Sequence, residues 1–285
     1  MPWVFVLIWS TGFIVARFGI PHAPPMSFLA LRYALSLVCF VAWIVVARVE
    51  WPRDATQWLH LAVVGVLMHA AYLGGVWSAV KAGVGAGTVA LLIGLQPVLT
   101  AIWMSLSVSG SGHARVSSRQ WLGLLLGLVG LALVVWRKLG SGGELTASNL
   151  SLGIFALVGI TAGTLYQKRF LAACDVRSAS AVQLLAAFVV TLPLALLETE
   201  PIVWHAHLMG ALAWSVLVLT LGGSSLLYLL IQRGAATRVT SLMYLVPPCT
   251  ALMAWALFGE SFTALMLLGL LLTATGVALV VRTPT

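Results

Sequence analysis

The run Gly123-Leu-Leu-Leu-Gly-Leu-Val-Gly130-Leu-Ala-Leu-Val-Val135 returns near the C-terminus as Gly269-Leu-Leu-Leu-Thr-Ala-Thr-Gly276-Val-Ala-Leu-Val-Val281. Each copy follows a second shared stretch: Pro97-Val-Leu-Thr100-Ala101 before the first, Pro247-Pro-Cys-Thr250-Ala251 before the second. Two matches in the same order mark an internal repeat, which has to be read before anything else.

Working outward, ten apolar segments lie near 2–20, 26–47, 58–79, 85–107, 119–136, 149–172, 178–197, 207–231, 239–257 and 263–281. A helix needs about 20 mostly apolar residues to cross the hydrocarbon core. The repeat lays the fourth segment over the ninth and the fifth over the tenth. Five spans is an odd number, so the second copy must enter the membrane from the opposite side. The expected fold is therefore all-α integral membrane, with ten transmembrane helices as two inverted five-helix repeats over residues 1–140 and 145–285. A Gly/Ser-rich stretch at 137–148 reads as the hinge between them.

Composition agrees. The chain is 61% hydrophobic and 8% charged, with a mean hydropathy of +1.07. A soluble domain carries about 25% charged residues, so lipid must solvate much of this surface. The first 20 residues lack a basic start and an A-x-A site, so they do not read as a signal peptide. The net charge of +8 comes from basic residues standing singly or in pairs, not from the clustered footprint that nucleic acid requires.

Those basic residues set the orientation. Loops on the side of the termini hold Arg48, Arg53, Arg115, Arg119, Lys168, Arg169, Arg177, Arg233 and Arg238, with Arg282 in the tail. The other side has Lys81, Arg137, Lys138 and Arg17. The imbalance puts both termini in the cytoplasm. Cys39, Cys174 and Cys249 are odd in number and far apart, with no disulfide or zinc spacing. No metal or cofactor is expected, and the chain reads as a monomer.

Polar groups within membrane helices are costly and are functional candidates by default. Arg32 lies about seven residues into the second segment, able to attract a substrate carboxylate or to snorkel to the interface. His69 is the titratable group nearest midplane, one turn from Tyr72; a buried His bonded to a neighbouring helix is the structural alternative. Trp9, Ser10, Thr11, Thr161, Thr164, Ser224 and Tyr228 gather near midplane on the first, sixth and eighth helices. Their concentration points to a polar cavity, although single hydroxyls often only join helices. Gln96 and Tyr244 flank the prolines Pro97 and Pro247, which would free carbonyls near Ile93 and Met243 and so kink or gate their helices.

No Asp or Glu sits at midplane and no G-x4-G-K-[ST] loop is present. A facilitator or weakly coupled carrier is the expectation. An intramembrane enzyme would need G-x-S-x-G, H-E-x-x-H or a His/Asp cluster at ligand spacing, and none is legible. A channel would want a ring of like polar groups.

With these residues in hand, the chain resembles the drug/metabolite transporter superfamily, specifically its ten-helix EamA-type exporters. Trp9-Ser10, Arg32, the Pro97 and Pro247 helices with the glycine-rich helices after them, and Gly259-Glu260 carry the likeness. Ser107 to Ser118 stands where the first half would carry the matching acidic corner. The resemblance implies a bacterial inner-membrane exporter of amino acids or related metabolites, neutral and aromatic ones foremost, working by alternating access. Cationic drugs are the alternative substrates.

Overall fold

The computed structural model describes residues 2–107, 121–123, 125–126, 128–130, 132–133, 145–223, 225–226, 245–260 and 264–281. Every regular element among them is helical, and they group into ten apolar helices. These are α1 (Pro2–Gly19), α2 (Pro25–Ala47), α3 (Ala55–Lys81), α4 (Ala86–Ile93 and Gln96–Ser107), α5 (Trp121–Gly130), α6 (Ala147–Phe170), α7 (Val176–Leu196), α8 (Ala206–Gly222), α9 (Val246–Phe258) and α10 (Ala264–Val281).

The ten agree with the sequence reading to within a few residues where both can be compared. Among the described residues, α2, α3, α6 and α7 are the helices individually long and apolar enough to span a membrane. One reason is visible in α4. Pro97 has no N–H to donate to Ile93, and the helix breaks at Gly94-Leu95, where Leu95 N–H bonds Leu92 O at 3.1 Å instead. The 137–144 part of the expected hinge and the Ser107–Ser118 corner after Ser107 lie outside the described residues. The hinge's far end is tied down, since Thr146 and Asn149 form a reciprocal cap on α6.

Side chains at helix ends fix the direction of each helix. Glu198, just past α7, accepts from Met26 N–H at 2.9 Å, Ser27 N–H at 2.8 Å and Ser27 Oγ–H at 2.7 Å at the start of α2. A carboxylate there satisfies orphan donors and meets the positive end of the helix dipole. The same device joins α9 to α4. Gly259, at φ 65°, ends α9 with Gly259 N–H on Trp255 O and Glu260 N–H on Ala254 O. Glu260 then accepts from Ala86 N–H at 3.0 Å and Gly87 N–H at 3.5 Å. So α2 runs antiparallel to α7, and α4 to α9.

Further links gather the α1–α2, α3–α4 and α7–α8 connections, the start of α6 and the end of α9 at one end of the bundle. Val203 N–H bonds His22 O at 2.8 Å, Lys81 pairs with Glu200, and Asn149 Nδ2 donates to Ala82 O at 3.2 Å. At the opposite end, His60 meets the Tyr166 hydroxyl at 2.8 Å, joining α3 to α6.

The core is built by helices from the two ends of the chain. Helix α2 lies along α7 and touches α8; α3 packs on α6 and α7; α1 packs on α8 and α9; α4 packs on α9 and α6. Glycines permit the closest approaches, as membrane helices require in the absence of a hydrophobic drive between them. A Cβ at Gly94 would stand 2.9 Å from Pro247 Cγ, and one at Gly65 would collide with the Gln183 backbone.

Candidate functional site

Helix α2 carries consecutive residues into the middle of the bundle. Arg32 is 9% exposed and Tyr33 wholly buried. The Arg32 guanidinium donates to Thr220 Oγ1 on α8, Nη2 at 3.1 Å and Nε at 3.3 Å. Tyr33 turns the other way and donates its hydroxyl to His69 O on α3 at 2.8 Å. Both partners sit on π-helical segments, Val66–Ala71 in α3 and Trp214–Gly222 in α8. A π turn widens the helix by one residue and commonly marks a functional position. Thr220 also donates to Ser215 O at 2.8 Å, five residues back.

Arg32 does not snorkel. Thr220 stands fourteen residues after Ala206, about 21 Å along α8 at 1.5 Å per residue, so the guanidinium points into the bundle rather than to its end. His69 and Tyr72 complete the surroundings, both within electrostatic reach of Arg32, and Gln183 on α7 hydrogen-bonds the His69 side chain. One turn from Arg32 and Thr220, the buried hydroxyls of Ser36 and Ser215 have no hydrogen-bond partner among the described residues.

The chain has seven carboxylates, and six are described. Each of the six is engaged at a helix end. Glu50 pairs with Arg53, Asp54 caps α3, Asp175 caps α7 and pairs with Arg177, Glu198 caps α2, Glu200 pairs with Lys81, and Glu260 caps α4. Arg32 has no ion pair among the described residues. A buried cation without a counter-ion is expensive, so this site has unmet demand for an anionic group.

Other expected site residues divide by place. Gln96 Nε2 donates to Thr164 Oγ1 at 2.8 Å, joining α4 to α6 one residue before Pro97. Ser10 bonds Val6 O at 2.8 Å and Thr161 bonds Leu157 O at 2.6 Å, each within its own helix. Thr11 bonds Ile8 O at 2.6 Å and accepts from Trp214 Nε1 at 2.9 Å. Trp9 is half-buried against Phe5, with ring centroids 5.3 Å apart. Pro247 stands in the first turn of α9, where a missing N–H costs nothing, and packs on Gly94 at the break in α4. Ser224, Tyr228, Tyr244 and Met243 lie outside the described residues.

Against known proteins, the EamA-like transporter family's sequence model matches residues 3–136 and again 148–282. The chain belongs to the EamA-like transporter family. It is accordingly a multi-pass membrane transporter. It is 25% identical over 279 residues to the uncharacterized transporter YvbV of Bacillus subtilis, covering 96% of this chain and 88% of that one. The uncharacterized inner membrane transporter YedA of Escherichia coli K12 is likewise 25% identical over 280 residues, covering 96% and 87%. A probable amino-acid metabolite efflux pump of Salmonella typhimurium is 24% identical over 281 residues, covering 95% and 90%. A crystal structure 18% identical in sequence superposes with a TM-score of 0.64 over 98% of this chain and 95% of its own, which supports the fold.

Sequence reasoning did not single out Tyr33, Gln183 or Thr220 of this EamA-family chain, because each is an ordinary polar residue in an apolar run. The available signal was the spacing. Gln183 follows Arg32, and Thr220 follows His69, by the same 151 positions.

Proposed function

We propose that this EamA-family transporter exports small neutral metabolites bearing a carboxylate, amino acids and especially aromatic ones, with Arg32 receiving the carboxylate. The observation that carries this is the Arg32 guanidinium, held by Thr220 deep in the bundle with no ion pair among the described residues. A bidentate guanidinium–carboxylate pair is the strongest polar contact available there, and two idle serine hydroxyls flank it. Tyr72 offers aromatic surface within electrostatic reach of Arg32, and Trp9, Thr164 and Gln96 are proposed to line the same cavity. A cationic drug would meet an unneutralised charge of its own sign.

The proposed machine is a pair of inverted repeats, residues 1–140 and 145–285, exchanging access to that site. Several observations support it. The family matches twice, at 3–136 and 148–282. The α2/α7 and α4/α9 pairs run antiparallel, as inverted copies must. Contacts also occur in exchanged pairs: α1 on α8 and α6 on α3, α2 on α8 and α7 on α3, α1 on α9 and α6 on α4. The α4 break at Gly94, backed by Pro97 and Pro247, is the proposed gate. Both termini are proposed to face the cytoplasm, with the Glu198 and Glu260 end outside.

No described carboxylate is free to relay protons, so we propose a facilitator or weakly coupled carrier. The test is uptake of radiolabelled amino acids by proteoliposomes, with counterflow. Saturable uptake competed by neutral amino acids but not by their carboxamides supports the reading. Equal competition by carboxamides, or strict dependence on an imposed pH or sodium gradient, removes the Arg32 role or the facilitator respectively.

A further inference from the structure

Three of the chain's six histidines meet at the end of the bundle where α7 hands over to α8. His22 lies in the α1–α2 connection, His205 caps α8, and His207 follows within the first turn of that helix. Each offers a ring nitrogen, and these nitrogens all lie within 4.8 Å of one another. The rings already pack together: His22 stacks on His205 at 4.5 Å, and His205 meets His207 edge-on at 4.7 Å.

We propose that His22, His205 and His207 form a binding site for a divalent transition-metal ion of the zinc class, clasping the α1–α2 connection to the start of α8. Imidazole is the ligand that zinc, cobalt, nickel and copper share, and three imidazoles with an open fourth position are a familiar zinc set. The geometry allows convergence. His205 and His207 are exposed and His22 half-exposed, so small side-chain rotations bring the nitrogens to bonding distance.

The backbone is prepared as well. Val203 N–H on His22 O holds the two connections together independently of the rings, at 2.8 Å. His205 Nδ1 accepts from His207 N–H at 3.1 Å, so ligation by His205 exchanges that cap for the metal, either at Nδ1 or, with the ring proton moved to Nδ1, at Nε2. The acidic residues of the same connection do not compete, since Glu198 caps α2 and Glu200 pairs with Lys81. The site does not depend on the transport reading, because it is built at a bundle end and makes no use of Arg32.

The test is calorimetric titration of zinc into the purified full chain at neutral pH, with any affinity tag removed, and cobalt absorption as a second probe. The expected result is saturable binding of one zinc at about micromolar concentration. His22→Asn and His207→Asn each weaken it by about tenfold or more, since even outer-shell changes cost 10–100-fold. His60→Asn, at the opposite end of the bundle, leaves it unchanged. Elution as a monodisperse peak shows that each variant is folded. Absence of zinc binding by the unaltered chain, or equal binding by the His22 and His207 variants, overturns the proposal.

Discussion

Arg32 with Thr220, and Gln183 with His69, are two answers to one position. Arg32 stands seven residues after Pro25 in α2, and Gln183 seven after Val176 in α7. Thr220 and His69 each stand fourteen residues into their helices, and each lies on a π segment. One pair is charged and the other neutral. The two sides also differ at a glycine. Gly65 lets α3 approach α7 until a Cβ would collide with the Gln183 backbone. The position on α8 that stands 151 further along is the buried Val216. In the proposed inverted-repeat scaffold the charge stands on one side alone, which suits the proposed substrate with its single carboxylate.

The largest expected effect comes from erasing the asymmetry. Arg32→Gln makes the pairs alike and should lower transport of carboxylate-bearing substrates by about 100-fold, roughly 2.7 kcal/mol, as when one member of a buried charge pair is lost. The ligand-free protein should melt no lower than the unaltered one, because an uncompensated buried charge has been removed. Uptake kinetics and thermal unfolding in the same micelles check both halves. Lost transport with lowered stability would instead mark Arg32 as structural.

Next in size is closing the tight side. Gly65→Ala places a methyl against backbone that cannot step aside, and should cost about 2–3 kcal/mol of stability by denaturant titration. Thr220→Val keeps the volume and removes the hydroxyl that holds the guanidinium. An approximately tenfold rise in KM with little change in kcat is expected, in the range for a hydrogen bond to a charged group.

How much of this was legible follows from which signals are chemical and which geometric. Helix positions were readable because lipid demands long apolar runs, and α2, α6 and α7 are bounded within a few residues of the reading. The break in α4 was foreshadowed by Pro97, which removes a donor wherever it stands. Arg32 was visible as a charge in an apolar run, while its hydrogen bond to Thr220 was not, because it joins α2 to α8 across 188 positions. Glu198 and Glu260 looked like loop acids, and their role as caps on α2 and α4 depends on contacts far apart in sequence. The His22, His205 and His207 meeting was hidden for the same reason. His205-x-His207 alone has no ligand spacing, and the third ring comes from a connection over 180 positions away.

The smallest expected effect is also the sharpest test of equivalence between the chain's two parts. Gly12 on α1 and Gly163 on α6 are 151 positions apart, and they face Leu219 and Met68, which are separated by the same interval. Their surroundings are not equally tight. A Cβ at Gly12 would sit 3.9 Å from the Leu219 methyls, ordinary van der Waals contact, whereas one at Gly163 would overlap Met68. Gly12→Ala should therefore change stability by no more than about 0.5 kcal/mol, helped by the better helix propensity of alanine. Gly163→Ala should cost about 1–2 kcal/mol, limited because the thioether side chain can yield. Equal losses at both positions would mean that α1 approaches α8 as closely as α6 approaches α3.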